Sequence, residues 1–335
     1  MQRNTEKLFQ GTALAALLLA TTLLASGCSF MPGQSQPGAT KYPPVEVEMK
    51  LVKVSQHVYF VQGMAGAATE NKGFISNAGF VVTPDGVVVF DALGTPSLAA
   101  KFLGLIRTVT SAPVKTVVMS HYHADHLYGL QVFKDEGAQV IAPAGAKDYL
   151  GSDVSDSLLA TRRTELKPWV DEHTRLVPAD VYLTENHSFE LGGMRFDLSL
   201  QGMAHSEGDL AMVVAPDQVM FTGDIIFEGR IPFIGESNTK NWMEQLEQLR
   251  AARVTALIPG HGPMAKNPDE LIRFTYRYLS FLREKMGAAV ENWISFDTAY
   301  DQVDWAEFEF VPAFLEANRR NAYNVYIAME KESFK

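Results

Sequence analysis

The stretch His121-Tyr122-His123-Ala124-Asp125-His126 follows an apolar run, Lys115-Thr116-Val117-Val118-Met119-Ser120, whose composition predicts a buried strand. In extended chain, side chains two residues apart point to the same face, so His121 and His123 can reach one ion. The carboxylate and the third imidazole lie beyond a turn and can face a second position. Imidazole nitrogen and carboxylate oxygen are ligands that suit zinc, and iron or manganese are also compatible.

The segments before this stretch predict a βαβ unit. An apolar run ends at Asp91, residues 97–109 have the pattern of an amphipathic helix, and residues 114–120 form the next strand. The motif is therefore expected at the carboxyl end of a strand, where α/β sheets place their ligands. Asp91 is interpreted as either a helix cap or a hydrogen-bond partner of a metal-bound histidine, and both readings stay open.

After the motif the alternation continues with a helix at 127–136, a strand at 138–142 and a helix at 144–150. Residues 152–175 are polar and predict an inserted helical segment. Its Arg162 and Arg163 are expected on an exposed helix, outside the site. Short strands follow at 181–184, 188–191 and 194–200, and a second sheet is predicted to begin with the first of them.

Three later strand-like runs each end with a potential ligand between glycines. His205 follows the first run, Asp224 the second and His261 the third. Glycine lets the backbone turn sharply and lets another group come close. The order of these segments, each after a strand, favours one shared metal centre over four unrelated polar loops.

On these residues the chain resembles the metallo-β-lactamase fold superfamily, over about residues 54–263. The superfamily motif His-x-His-x-Asp-His stands at 121–126, and the later His, Asp and His positions are His205, Asp224 and His261. The resemblance implies an α/β fold, a four-layer αββα sandwich, with a C-terminal helical extension. Apolar helical patterns at 267–286 and 313–331 predict the helices of that extension.

The resemblance also implies a ligand set for two Zn²⁺ ions, with iron or manganese as alternatives. His121, His123 and His205 would hold the first ion, Asp125, His126 and His261 the second, and Asp224 would bridge both. Diiron flavoprotein oxygen reductases carry a glutamate where this sequence has His123. A zinc hydrolase is therefore favoured over a redox role.

The implied reaction is hydrolysis in which a metal-bridging hydroxide attacks the carbonyl of an ester, thioester, lactone or amide. Asp125 is the candidate catalytic residue, because it would orient the nucleophile. The segments 221–227, 241–242 and 259–263 are most similar to exported zinc hydrolases associated with quinoprotein relays or sulfur oxidation. These relatives indicate a location more than a substrate.

Three alternatives stay open. A hydroxyacylglutathione hydrolase-like thioesterase shares the seven ligands, although residues 318–335 give no clear glutathione-binding segment. A class B-like β-lactamase would have to belong to a subclass without a cysteine ligand, because Cys28 is the only cysteine. The alternative from another class is a non-catalytic metal-binding lipoprotein, which would be expected to have lost ligands.

The N-terminus predicts export. Arg3 and Lys7 precede an uncharged apolar stretch at 12–25, which is the plan of a signal peptide, and Cys28 ends a lipoprotein-like box. We expect a signal at 1–27, a Pro/Gly/Ser-rich tether at 28–45, a catalytic domain at 46–265 and a helical region at 266–335. The protein would be lipid-anchored at Cys28 and face the periplasm, with a soluble periplasmic protein as the alternative.

The composition sets the class of partner. The 335 residues carry 29 Lys and Arg against 39 Asp and Glu, a net charge of −10. Nucleic-acid affinity depends on basic side chains, so a nucleic-acid partner is disfavoured and a small-molecule substrate is favoured. Membrane contact is expected through the lipid anchor alone, and the oligomeric state is not readable.

Overall fold

The computed structural model describes residues 41–235 and 237–334. The strands of its amino-terminal half form one seven-stranded sheet. Its spatial order follows the chain, and the strands are β1 Leu51–Lys53, β2 Val58–Val61, β3 Ala78–Thr83, β4 Gly86–Phe90, β5 Val114–Val118, β6 Gln139–Pro143 and β7 Val181–Leu183. The pairs from β1 to β4 are antiparallel. Those from β4 to β7 are parallel.

A five-stranded sheet follows, in the spatial order β12-β11-β10-β9-β8. Its strands are β8 His187–Leu191, β9 Met194–Gly202, β10 Asp209–Val214, β11 Val219–Phe221 and β12 Ala256–Ile258. The prediction that this sheet begins at 181–184 is wrong. Val181 pairs in parallel with Ile141, because β7 still belongs to the βα alternation of the first sheet.

Helices cover the outer faces of both sheets. They are α1 Pro96–Val109, α2 Ala124–Leu127, α3 Leu130–Asp135, α4 Gly145–Leu150, α5 Asp153–Glu165, α6 Thr239–Ala251, α7 Pro268–Glu291, α8 Phe296–Gln302 and α9 Phe314–Ser333. The predicted C-terminal helices are confirmed as α7 and α9, whereas α8 lies in a stretch without a predicted element. No helix in the described part of the chain is long and apolar enough to cross a bilayer.

Side-chain alternation along the strands divides the core into three apolar layers. In β4, Val87 and Val89 pack against the helices, while Val88 and Phe90 face the second sheet. On the second sheet, Met212 faces the first sheet and Ala211 packs toward the C-terminal helices. Three apolar layers separate four layers of secondary structure, which confirms the predicted αββα sandwich.

The residues nearest the N-terminal end of the described chain pack against the end of α3, the segment after α5 and the apolar layer between the first sheet and its helices. The Tyr42 hydroxyl donates to Asp135, the Trp169 indole donates to the Pro44 carbonyl, and Val45 is buried. Cys28, the predicted signal peptide and residues 28–40 of the predicted tether lie outside the described residues.

Strand direction decides where polar side chains gather. The parallel pairs β4–β5 and β11–β12 each end at one edge of their sheet. The segments that follow these four strands carry Asp91, the motif at 121–126, Asp224 and His261. The fold therefore brings together residues up to 170 positions apart at one end of the sandwich.

Candidate metal centre

The first cluster, called here the histidine group, consists of His121, His123 and His205. Nε2 of His121 and Nε2 of His205 each lie 3.0 Å from Nδ1 of His123. Ligands placed about 2.1 Å from a tetrahedral zinc ion would stand about 3.4 Å apart. The three nitrogens thus converge at the spacing of one coordination sphere, and together with Asp224 they form a group that could hold a metal ion.

The second cluster, called here the mixed group, consists of Asp125, His126 and His261. Oδ2 of Asp125 lies 3.3 Å from Nε2 of His261 and 3.5 Å from Nε2 of His126. These three residues could also hold a metal ion. Asp125 and His126 reach this position because the short helix α2 begins immediately after His123 and turns them away from it.

Asp224 lies between the two groups. Its Oδ1 is 3.1 Å from Nε2 of His126, and its Oδ2 is 3.5 Å from Nε2 of His205 and 3.2 Å from Nε2 of His261. Within the described residues, Nε2 of His126 and Oδ1 of Asp224 are buried and have no partner in hydrogen-bond geometry, although they lie 3.1 Å from each other. Such unsatisfied atoms are costly, and a cation between them would satisfy both. The arrangement therefore fits two metal ions that share Asp224.

The outward-facing nitrogen of three histidines is held by an acceptor. Nδ1 of His205 donates to the Phe233 carbonyl at 3.0 Å, Nδ1 of His261 to the Ile75 carbonyl at 2.7 Å, and Nδ1 of His126 to Oδ2 of Asp91 at 2.8 Å. Such bonds place the proton on Nδ1 and leave the Nε2 lone pair free for a metal.

Asp91 serves both groups at once. Besides His126, it accepts from the Ser120 backbone N–H at 2.7 Å and from the Ser120 hydroxyl at 2.8 Å, and this hydroxyl lies 2.9 Å from Nδ1 of His121. Of the two roles considered for Asp91, the structure shows the second: Asp91 is the hydrogen-bond partner of a candidate metal ligand. Its backbone is left-handed, with φ of 61°, a conformation that Asp tolerates better than most residues.

Two glycines allow the backbone to close around Asp224. A Cβ on Gly260 would stand 2.0 Å from Oδ1 of Asp224, and one on Gly223 would stand 2.5 Å from Cβ of Ser120. Gly223 also has φ of +53°. Glycine is therefore required at these two positions, because a larger residue would collide with Asp224 or Ser120.

Charge distribution separates the two groups. Burial lowers the pKa of His205 to about 3, and burial together with His126 lowers the pKa of His121 well below its usual value. Burial also opposes protonation of His261, but Asp224 and Asp125 outweigh it and raise its pKa to about 9. The pKa of His126 is raised for the same reason, by Asp224, Asp125 and Asp91, despite its burial.

The carboxylates show the opposite shift. Burial alone would raise the pKa of Asp224 and of Asp125, but the neighbouring imidazoles of His126 and His261 lower both below the usual range. Both side chains are thus ionised at neutral pH. Asp125 is 20% exposed, and it lies on the open side of the centre with the half-buried His123, whereas the other five side chains are buried.

Two side chains that sequence reasoning missed hold the ligand loops. Asn77 accepts from the Gly63 N–H and donates to the carbonyls of Pro259 and Gly262, which flank His261. Asp209 is buried, accepts from the N–H and hydroxyl of Ser206 beside His205, and has its pKa raised by burial to about 7. Each lies far in sequence from the loop it holds or inside a strand, so no local pattern marks it.

Aromatic rings close the inner side of the centre. The Phe227 ring stacks on that of His261 with centroids 5.3 Å apart, and Trp242 meets His205 edge-on at 5.6 Å. The Trp242 indole donates to the Ile225 carbonyl. These contacts fix the orientation of two imidazoles and exclude water from behind them.

The two arginines predicted to lie outside the site differ. Arg163 donates to the carbonyls of Asp171 and Thr174, away from the centre. Arg162 pairs with Glu165, yet it also lines a cavity of about 30 Å³ that Asp125 lines from the other side. This space has room for about one water molecule.

Comparison with known proteins identifies a superfamily that is consistent with this candidate metal centre. A profile of the metallo-beta-lactamase superfamily matches residues 71–261. Metallo-beta-lactamase type 2 of Elizabethkingia meningoseptica is 26% identical over 252 residues, which is 73% of this chain and 89% of that protein. Metallo-beta-lactamase IND-1 of Chryseobacterium indologenes is 24% identical over 216 residues, 63% of this chain and 80% of that protein.

A similar fold occurs in an inverting sec-alkylsulfatase from Pseudomonas sp. Its TM-score is 0.64 at 18% identity, and the match covers 84% of this chain and 50% of the sulfatase. The narrower resemblance to exported quinoprotein-relay or sulfur-oxidation hydrolases stays a prediction. The superfamily match spans more than half of the chain and all seven candidate ligands, so this chain is a hydrolase of the metallo-beta-lactamase superfamily.

Proposed function

We propose that this protein is a dinuclear zinc hydrolase that acts on an ester, thioester, lactone or amide and breaks the bond between the carbonyl carbon and the leaving oxygen, sulfur or nitrogen. The observation that supports this most directly is the position of Asp224. One of its oxygens lies 3.1 Å from His126 of the mixed group, and the other lies 3.2 Å from His261 of that group and 3.5 Å from His205 of the histidine group. A carboxylate shared in this way is the arrangement that a two-metal site requires.

The residues that would hold the first ion are His121, His123 and His205, and those for the second are Asp125, His126 and His261, with Asp224 common to both. When bound, zinc supplies Lewis acidity that brings the pKa of water toward neutrality and polarises a substrate carbonyl. Seven nitrogen and oxygen donors without a thiolate are also compatible with iron or manganese.

Asp125 has the position of the residue that handles the nucleophile. It is ionised and lies on the open side of the centre, where a substrate would enter. A carboxylate there can accept a hydrogen bond from the attacking water and receive its proton. The buried imidazoles and Asp91 behind it keep the donor atoms in place without moving during the reaction.

The strained amide of a β-lactam is the second candidate substrate. It is favoured because two relatives named metallo-beta-lactamases align with this chain over 80% and 89% of their own lengths. The thioesterase alternative remains, since it uses the same donors.

A substrate panel tests the proposal. The zinc-loaded protein is assayed on S-lactoylglutathione, a chromogenic cephalosporin, a simple lactone and, because of the sulfatase-like fold, an alkyl sulfate. We expect turnover of at least one carbonyl substrate, its loss on chelation, and its recovery with zinc. Asp125→Asn should reduce kcat by about 10²-fold or more while the fold is kept. Zinc-independent turnover, or wild-type activity in this variant, would contradict the mechanism.

We also propose that the protein is exported and lipid-anchored at Cys28, with the domain limits expected from the sequence. The apolar stretch and the single cysteine support this. Expression in a Gram-negative host with labelled palmitate should label the wild type and leave Cys28→Ser unlabelled. Unlabelled wild type in the periplasmic fraction would favour the soluble alternative.

A further inference from the structure

A cavity of about 670 Å³ lies beside the C-terminal helices, outside the ligand set. It is bounded by the segment after Phe227, the segment after His261, the first turns of α7 and residues 310–312. Its volume is in the range of cavities that bind small molecules. The proposed chemistry uses none of the side chains that line it.

One aromatic ring separates this cavity from the metal centre. Phe227 is 1% exposed and stacks on His261, and the guanidinium carbon of Arg230 lies 5.9 Å from the centre of the same ring. Arg230 lines the cavity, whereas His261 does not. The cavity is therefore a neighbour of the centre and has its own wall of side chains.

Three charged side chains that line the cavity, Arg230, Lys266 and Glu228, form no ion pair within the described residues. In the same part of the chain, Nε of Arg230 is buried without a hydrogen-bond partner, and its guanidinium group lies over the Phe227 ring. Arg230 and Glu228 are partly buried, so a ligand group of opposite charge can satisfy each of them, whereas Lys266 is exposed and adds positive charge at the rim.

The negative side of the cavity has two carboxylates. Burial raises the pKa of Glu228, and the nearby Glu270 raises it further. Glu270 accepts from the Asn267 side chain at 3.1 Å, which fixes it in the first turn of α7. A cationic group near Glu228 and Glu270 would relieve their mutual repulsion.

The remaining lining is apolar. Leu271 and Phe274 are on the cavity side of α7, and Phe310 forms the rim with 88% of its surface exposed. An exposed phenylalanine beside a cavity offers apolar surface on which a ligand can pack. A ligand with an apolar body would cover this ring.

We propose that the cavity binds a zwitterionic ligand of dipeptide size with apolar side chains. Its carboxylate would lie at Arg230 and Lys266, its ammonium group at Glu228 and Glu270, and its side chains against Phe274 and Phe310. The site does not depend on the proposed hydrolytic activity, because none of its residues belongs to the ligand set.

Three matched probes test the proposal by calorimetry on the purified full chain: phenylalanyl-phenylalanine, its N-acetyl form and its C-terminal amide. The free dipeptide should bind, and loss of either terminal charge should weaken binding by about tenfold or more. The titration is repeated on chelator-treated protein, because a free amine can bind zinc. Binding that persists without metal belongs to the cavity, and binding lost with the metal would overturn the proposal.

Two variants test which residue contacts the carboxylate of the ligand and which contacts its ammonium group. Arg230→Met should remove the preference for the free acid over the amide, and Glu228→Gln the preference for the free amine over the acetyl form. Arg230→Lys, which keeps the charge, should retain a preference. Arg273→Met is the matched control, because Arg273 is exposed on α7 and outside the lining. Equal binding of the three probes, no binding, or unchanged preferences in both variants would refute the site.

Discussion

The histidine group and the mixed group differ in which protonation state the protein favours. His121, His123 and His205 all have lowered pKa values, chiefly because burial disfavours their charged form. In the mixed group, His126 and His261 have raised pKa values because carboxylates surround them. The histidine group is thus neutral and ready for a metal, whereas a metal must displace protons from the mixed group.

This difference shows that two neighbouring sites built from nearly the same residue types can differ in how strongly protons compete with a metal. Both groups are largely buried and both include imidazole Nε2 atoms. What distinguishes them is the number of carboxylates in contact, with Asp91 and Asp125 on the mixed side and Asp224 between. We expect the histidine group to fill first and the mixed group to be the weaker, pH-sensitive site.

The largest expected effect comes from removing the residue common to both groups. Asp224→Ala should abolish binding of at least one metal ion and lower kcat/KM by on the order of 10³-fold, because both coordination spheres lose a ligand. Metal analysis and activity on the best substrate check this. Asp217→Ala is the control, since it removes another largely buried carboxylate that contacts Ser55 and His57 far from the centre. Full metal content in Asp224→Ala would mean that the groups do not share it.

Acid should empty the mixed group before the histidine group. His261 keeps its proton up to about pH 9 in the metal-free protein, so below that pH protons compete with metal and affinity falls about tenfold per unit for one proton. The pKa of His205, at about 3, causes no such competition. Dialysis from about pH 8 to about pH 5.5 should therefore release one ion before the other. Simultaneous release of both ions would contradict the expected difference in affinity between the two groups.

The raised pKa of His261 favours low pH for the stability of the metal-free protein, whereas it favours high pH for metal binding. Because the folded-state pKa of His261 is raised above its ordinary value of 6.5, its contribution to stability is complete below 6.5. It is lost as the pH rises through about 9.

Asp91→Asn should weaken the mixed group more than the histidine group. Asn tolerates the left-handed backbone but accepts less well from His126, and outer partners of this kind contribute about 10- to 100-fold in metal affinity. Ser120→Ala is the matched variant, because it removes the contact to His121 and one bond to Asp91 while it leaves the bond between Asp91 and His126 in place. Zinc titration should show loss at the weaker site in the first variant and at the stronger site in the second. The reverse assignment would contradict the account.

The smallest expected effect concerns the loop of His261. Asn77→Ala leaves two carbonyls and one N–H without partners and should lower the free energy of unfolding by about 1–3 kcal/mol. Metal loss should be confined to the mixed group. Asn186→Ala, which removes one exposed bond to Leu200, is the control and should change stability little. Equal effects of both variants in denaturant titrations would argue against a specific role of Asn77.

The ligand residues were predictable because their signals are local. Three imidazoles and a carboxylate in six residues, and glycine-flanked ligands after each later strand, stand out against ordinary loops. Strand alternation and helical periodicity predicted individual strands and helices, whereas the four-layer sandwich was implied by the resemblance to the superfamily.

What was missed depends on contacts between distant residues. Asn77 reaches Gly262 across 185 positions, and β7 joins the first sheet through pairing with β6, which its own three residues do not encode. The role of Asp91 was left open for the same reason, because its partners His126 and Ser120 follow it by 35 and 29 positions.

The number of metal ions bound per chain tests the central claim most directly. Protein purified without chelator and equilibrated with zinc near neutral pH should contain close to two ions per chain by elemental analysis. Asp224→Ala, measured alongside, should contain fewer. A wild-type protein that carries no metal and fails to bind zinc would contradict the dinuclear centre.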